Sequence, residues 1–288
     1  MSPELMAALG RAFCTGMLLV VFADVTDKAR TAARDGGPQD VRWLTLWSGS
    51  FAAALAAEVL LIASLVVPDL GSALTALADS ESADALAFRA RTLLAGAMSG
   101  PADPPEALLH RALDQANAAL ARDPAHAEAR LQRAIALSLI LRPMTTREAR
   151  KTGWAEEARD LARSVLADEP ANVYAHGFLS VWNVEVVNRG GRIGALIMGA
   201  GVSDGRDHYE AAIAAMPDDA SVHWQWARAL AALNARKYRA DVLAALDAAL
   251  ACPVESELER TMQARAALLK TEMLQDPRRA GELAARML

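Results

Sequence analysis

A proline-closed pattern recurs three times and narrows what this chain can fold into. Ala112 to Pro124 reads ALDQANAALARDP, Ala158 to Pro170 reads ARDLARSVLADEP, and Gly205 to Pro217 reads GRDHYEAAIAAMP. Each carries small and apolar residues at helical spacing and ends in a proline through which a helix does not continue. A short polar step follows, then a second amphipathic segment: AEARLQRAIAL from Ala127, VYAHGFLSVWN from Val173 and ASVHWQWARAL from Ala220. Helix, proline-marked turn and helix, repeated along the chain, predict an all-α helical-hairpin array in which each unit buries its apolar face against the next. Composition points the same way: 53% of the 288 residues are apolar, with alanine, leucine and arginine prominent and only short β-branched runs, which favours helix over sheet.

Charge and cysteine content exclude several classes. The net charge is −5, and basic residues alternate with acidic ones along the expected helices. Nucleic-acid binding needs a basic stripe that displaces counterions, and no such stripe is present. Cys14 and Cys252 form neither a CxxC pair, nor a zinc spacing, nor a disulfide framework.

The first quarter of the chain reads differently. Residues 1–42 are an N-terminal extension with one apolar stretch, Ala12 to Ala23, short for a bilayer span and read as a buried or interfacial helix. Residues 43–78 are expected to anchor or export the chain: Trp43 to Val67 has tryptophans near Arg42 and a single charge, Glu58. A soluble buried helix is the rival reading, since Glu58 at mid-depth is costly in lipid. Ala76-Leu77-Ala78 has the small-x-small form of a processing site. Basic residues before the apolar run and acidic ones after it orient residues 79–288, the repeat domain, away from the cytoplasm.

Within the repeat domain the residues resemble the tetratricopeptide repeat. The resemblance rests on Ala112, Ala119, Leu120 and Pro124; Ala158, Val165, Leu166 and Pro170; Tyr209, Ala212, Ile213 and Pro217; and, one residue out of phase, Ala249, Leu250 and Pro253. Leu179-Ser180 and Trp226-Ala227 supply the large-small pair of a first helix, and Arg133-Ala134 keeps its small member. The resemblance covers about residues 83 to 277 and implies a solenoid with a peptide-binding concave face. The family's step is about 34 residues, whereas the closing prolines here are spaced by 46, 47 and 36. The excess falls at Leu141 to Gly153 and at Asn188 to Gly205.

The second of these junctions contains Gly199, Gly201 and Gly205, a GxGxxxG pattern. A dinucleotide loop of that form requires a preceding strand and a βαβ setting. The flanks here are helical, so the stretch is read as a turn with a short apolar helix packed across the array, and no cofactor is expected. His176 and His223 occupy equivalent places in successive units and are expected to pack or hydrogen-bond; no histidine spacing supports a metal site. Glu156-Glu157 and Asp218-Asp219 suit helix starts and turns. Nothing in the pattern argues for catalysis.

Aromatic residues gather in the two later first helices. Trp224 and Trp226, two apart, point in different directions on a helix, so one is expected to face a groove or solvent. Tyr174, Trp224 and Arg228, with Trp182 and Asn183, are the candidate partner-binding residues, because Trp, Tyr and Arg anchor interfaces. The sequence therefore predicts a non-enzymatic interaction scaffold of the cell envelope, periplasmic or anchored facing the periplasm, that binds a protein or extended peptide. Residues 43–67 would contact the membrane if uncleaved. The alternatives are a small-molecule-binding accessory module of a transporter, with a cavity bordered by Arg192, Trp182 and Asn183, and a soluble cytoplasmic adaptor.

Overall fold

The computed structural model describes residues 81–100, 104–254 and 256–288. Among the described residues there are eleven helices and no strand: α1 (Ala83–Ser99), α2 (Glu106–Arg122), α3 (Ala127–Leu141), α4 (Thr146–Thr152), α5 (Trp154–Asp168), α6 (Val173–Met198), α7 (Val202–Ala215), α8 (Ala220–Asn234), α9 (Arg239–Ala251), α10 (Glu257–Gln275) and α11 (Pro277–Ala284). No described helix is long and apolar enough to cross a membrane. The stretches Ala12–Ala23, Trp43–Val67 and Ala76–Ala78 lie outside the described residues.

The three proline junctions are built alike. The residue before each proline, Asp123, Glu169 or Met216, leaves helical geometry, with ψ between 79° and 98°, because the prolyl ring crowds the preceding residue out of the helical region. Its N–H still donates to the carbonyl four residues back, closing the helix. Two residues after the proline, His126, Asn172 and Asp219 cap the next helix, accepting from the N–H groups of Ala129, Ala175 and Val222. Six residues after the proline a side chain reaches back to the prolyl carbonyl: Arg130 Nε at 3.1 Å, His176 Nε2 at 2.9 Å and His223 Nε2 at 2.7 Å. Capping answers the orphan donors of the new helix, and the returning donor fixes the turn. The second helices begin at Ala127, Val173 and Ala220, as the sequence predicts.

Small residues recur on the first helix of each junction. Ala112 and Ala119 on α2, Ala158 and Val165 on α5, and Gly205 and Ala212 on α7 are all buried. At Gly205 the approach is closest, since a Cβ there would lie 2.9 Å from the Ser180 carbonyl and 3.2 Å from Asn183 Cβ. The last glycine of GxGxxxG is thus the small packing position of a repeat. Gly199, at φ 60°, is a left-handed helix C-cap.

Contacts run between neighbours along the chain, α1 with α2, α2 with α3, α3 with α5, α5 with α6, α6 with α7, α8 with α9 and α9 with α10. A second series joins α1 to α3, α3 to α6, α6 to α8 and α8 to α10, and α10 also touches α1. The core is divided accordingly into local clusters, such as Leu94, Leu109 and Ile140 in the first helices and Trp224, Trp226, Leu246 and Leu269 in the later ones. Residues 81–288 form a compact unit.

Candidate functional site

Three helices send donors to one short stretch of main chain. Arg142, the C-cap of α3, donates through Nη2 to the carbonyls of Ala285 (3.0 Å) and Met287. Trp224 on α8 donates its indole N–H to the Leu288 main-chain oxygen at 3.0 Å, and Arg265 on α10 donates Nη1 to the same oxygen at 2.9 Å. Arg265 also donates to Met98 and Gly100 carbonyls, both at 2.6 Å, at the end of α1. Every hydrogen-bond acceptor is a backbone oxygen, while the Leu288 side chain is buried and Met287 packs against the core cluster that includes Trp224 and Leu269. Leu288 and Trp224 are both buried. Partial burial pulls the Arg265 guanidinium below its usual value, and in that setting it donates to three main-chain oxygens.

The residues nominated from sequence fall differently from expectation. Trp224 and Trp226 are both fully buried, so neither faces a groove or solvent. Two positions on a helix are about 200° apart, but α8 is enclosed by α6, α7, α9, α10 and α11, which covers both directions. Trp224 still belongs to the candidate site through its N–H; Trp226 stacks on Tyr209 with ring centroids 5.0 Å apart. Arg228 is buried and paired with Glu185 at 3.0 Å, and it donates to Gln225. Trp182 donates to the Ala155 carbonyl beneath the Arg159 guanidinium. Asn183 is buried, donating to Leu179 and accepting from the Gly201 N–H. Tyr174 is half-buried against the Leu131, Val165 and Ala175 cluster. Of the five candidate partner-binding residues, Trp224 is the one with a described hydrogen bond to residues 285–288.

Of the residues expected to border a cavity, Trp182 and Asn183 are packed core residues, while Arg192 is exposed. An open recess of about 550 Å³ lies elsewhere, lined by Leu120, Arg130, Leu161 and Asp168 among others. The short helix after Gly191 also departs from expectation. It buries Ala195 alone and leaves Ile193, Leu196 and Ile197 exposed, while the carbonyl of its last residue, Met198, accepts from Arg159 on α5.

Arg142 and Arg265 were not singled out by sequence. Arg265 did carry a signal, since it lies on the helical stripe of Met262, Ala266, Leu269 and Met273, all buried, where an arginine needs acceptors. Arg142 stands at the end of an apolar run and looks like an ordinary C-terminal helix cation.

The histidines are committed to the junctions. His176 Nε2 must donate to the Pro170 carbonyl, so its Nδ1 accepts from His208 Nδ1–H at 2.9 Å when both rings are neutral. Burial, followed by the neighbouring His176, holds His208 below its ordinary value of 6.5. His223 likewise donates to Pro217, leaving Nδ1 to accept from the Tyr209 hydroxyl at 2.7 Å; burial pushes that phenol up to about 12. Among the described residues no group of three or more His, Cys, Asp or Glu side chains is arranged to hold a metal ion. Cys252 is buried, its thiol 3.2 Å from the Ala248 carbonyl. No family model matches this chain, and no curated protein matches it.

Proposed function

We propose that residues 81–288 form a tetratricopeptide-like solenoid that works as a non-enzymatic interaction scaffold, its inner helices holding an extended peptide by its main chain. The observation that carries this reading is the seating of Ala285–Leu288 on Arg142, Trp224 and Arg265. Donors from three separate helices converge on main-chain oxygens of the turn that ends the last helix, and main-chain hydrogen bonds are one way a surface holds a peptide. The repeated proline junctions and the two series of neighbour contacts support the solenoid. In this reading residues 285–288 occupy the surface from within, and a partner peptide replaces them.

The test is a titration. A labelled peptide with the sequence of residues 281–288 is added to a chain lacking 285–288, with helicity checked by circular dichroism. Saturable binding is expected, and Arg142→Ala should weaken it roughly tenfold, the effect of losing hydrogen bonds from a charged donor worth about 1.5 kcal/mol or more. A folded, shortened chain that ignores the peptide would defeat the reading.

The scaffold is further proposed to act in the envelope, facing the periplasm, because Trp43 to Val67 is apolar over a bilayer's length and follows basic residues. A tag placed after Leu288 should be recovered with membranes or periplasm on fractionation. Recovery from cytosol alone would overturn the localisation and leave the peptide reading standing.

A further inference from the structure

The two stretches that break the proline spacing meet in space. Leu141 to Gly153 folds around α4, and Thr146 at its start donates Oγ1 to the Arg189 carbonyl at 3.3 Å. Arg189 answers from α6, donating to the Leu141 carbonyl at 3.1 Å and to the Met144 carbonyl. Two residues beyond Arg189 the helix breaks at Gly191, with φ 59° and ψ −163°, a conformation open to glycine and strained for other residues. The turns that follow, residues 192–198, present Ile193, Leu196 and Ile197 at 76%, 83% and 60% exposure. These positions are i, i+3 and i+4, one face of a helix, and they are the three most exposed large apolar side chains among the described residues.

Exposed cations stand near this face, and one acid, Asp160, is paired with Arg159 where that guanidinium donates to the Met198 carbonyl. Arg192 is exposed at the start of the same turns, and Arg147, Arg150 and Lys151 are exposed on α4. None of the four makes an ion pair among the described residues. The one acid of α4, Glu148, is turned back into a capping box with Thr145. The seven-residue helix α4 is only about 10 Å long, and its first residue, Thr146, is hydrogen-bonded to Arg189, two residues before the break at Gly191. In a chain of net charge −5, both of the insertions that lock together carry exposed cations.

We infer that the Ile193–Leu196–Ile197 face docks on the surface of an anionic lipid bilayer, with Arg192, Arg147, Arg150 and Lys151 against the headgroups. Charge and size select this occupant. A stable protein partner needs about 800 Å² on each side, far more than three aliphatic side chains offer. An interfacial helix needs only a few apolar groups at the acyl boundary and nearby cations for anionic headgroups. Gly191 interrupts α6 and Gly199 caps it, so residues 192–198 form a separate short run of helix between two glycines. This surface is separate from the one that holds residues 285–288, and neither inference depends on the other.

The test uses the full chain with Cys14→Ser, Cys252→Ser and Leu196→Cys, labelled at position 196 with an environment-sensitive nitrobenzoxadiazole dye. Vesicles of phosphatidylcholine containing phosphatidylglycerol should shift its emission to the blue and make it quenchable by spin-labelled lipid. The shift should disappear on phosphatidylcholine alone, and also when Arg147, Arg150, Lys151 and Arg192 are changed to glutamate. A dye at Leu268→Cys, another exposed leucine, should not respond, which separates docking of this face from general association through another part of the chain. Equal response at 196 and 268 would overturn the inference. So would a response indifferent to lipid charge, or a blue-shifted dye before vesicles are added, the result expected if another segment or a second copy covers the face. Leu196 is the most exposed of the three apolar side chains, so the labelled variant is expected to keep the wild-type circular dichroism spectrum.

Discussion

At the scale of single residues, the repeat is a hydrogen-bonding device as much as a hydrophobic one. Pro124, Pro170 and Pro217 each receive a donor from six positions on, an arginine once and a histidine twice. What these positions share is an N–H able to reach a carbonyl that the broken helix leaves without its normal partner. The histidines bring a pH dependence that the arginine does not. His208 sits beside His176 and is held below 6.5 by burial first and by that neighbour second. An unfolded chain therefore binds this proton more readily than the folded one, so stability is full above 6.5 and falls as pH drops below it toward the folded value. His208→Gln should flatten that part of the stability curve, measured as the urea midpoint against pH. An unchanged slope in the variant would show that other groups carry it.

At the scale of elements, close packing decides between conflicting preferences. Gly205 lies inside α7, where alanine is favoured by about 1 kcal/mol on propensity alone. The Ser180 carbonyl, 2.9 Å from where an alanine Cβ would stand, is main chain and cannot swing away, and overpacking of that kind costs about 1 to 3 kcal/mol. The second effect wins, so Gly205→Ala is expected to lower the unfolding free energy in urea. Gly194→Ala is the matched control: nothing lies within 4 Å of its Cβ, and it should leave stability unchanged or raise it. Equal effects at the two positions would refute the close α6–α7 approach as the cause. The same principle explains the misplaced tryptophans. A helix touched from one side would have left Trp224 or Trp226 outward, but α8 is packed on all sides, and a pattern of residues within α8 carries no record of how many neighbours it will have.

At the scale of the whole molecule, the first and last parts of the described unit are tied together. Arg265 joins carbonyls at the end of α1 to the Leu288 oxygen, and α10 packs on α1 directly. Residues 285–288 thus touch Arg142 at the end of α3 and Trp224 on α8, while Arg265 links them to the start of the unit. In the peptide titration, Arg265→Met keeps the length of the side chain and removes its donors. Weaker binding by this variant, alongside that of Arg142→Ala, would place the peptide on the same carbonyl-reading surface; unchanged binding would exclude Arg265 from it.

The helical class, the starts of the second helices, the proline-closed ends and the small packing positions were legible in the sequence, because capping, prolyl sterics and helical periodicity act within a few residues. The helical flanks of the GxGxxxG stretch were legible too. The route of residues 285–288 was not. Arg142 meets Ala285 and Met287 across about half of the chain, and a side chain's reach to a distant carbonyl leaves no period to read. Nor does spacing reveal that the insertions at Leu141–Gly153 and Asn188–Gly205 lock together through Thr146 and Arg189. Local chemistry made the repeating unit; only the packing of those units decided which aromatic side chains were covered, which arginines found carbonyls and which apolar face was left outside.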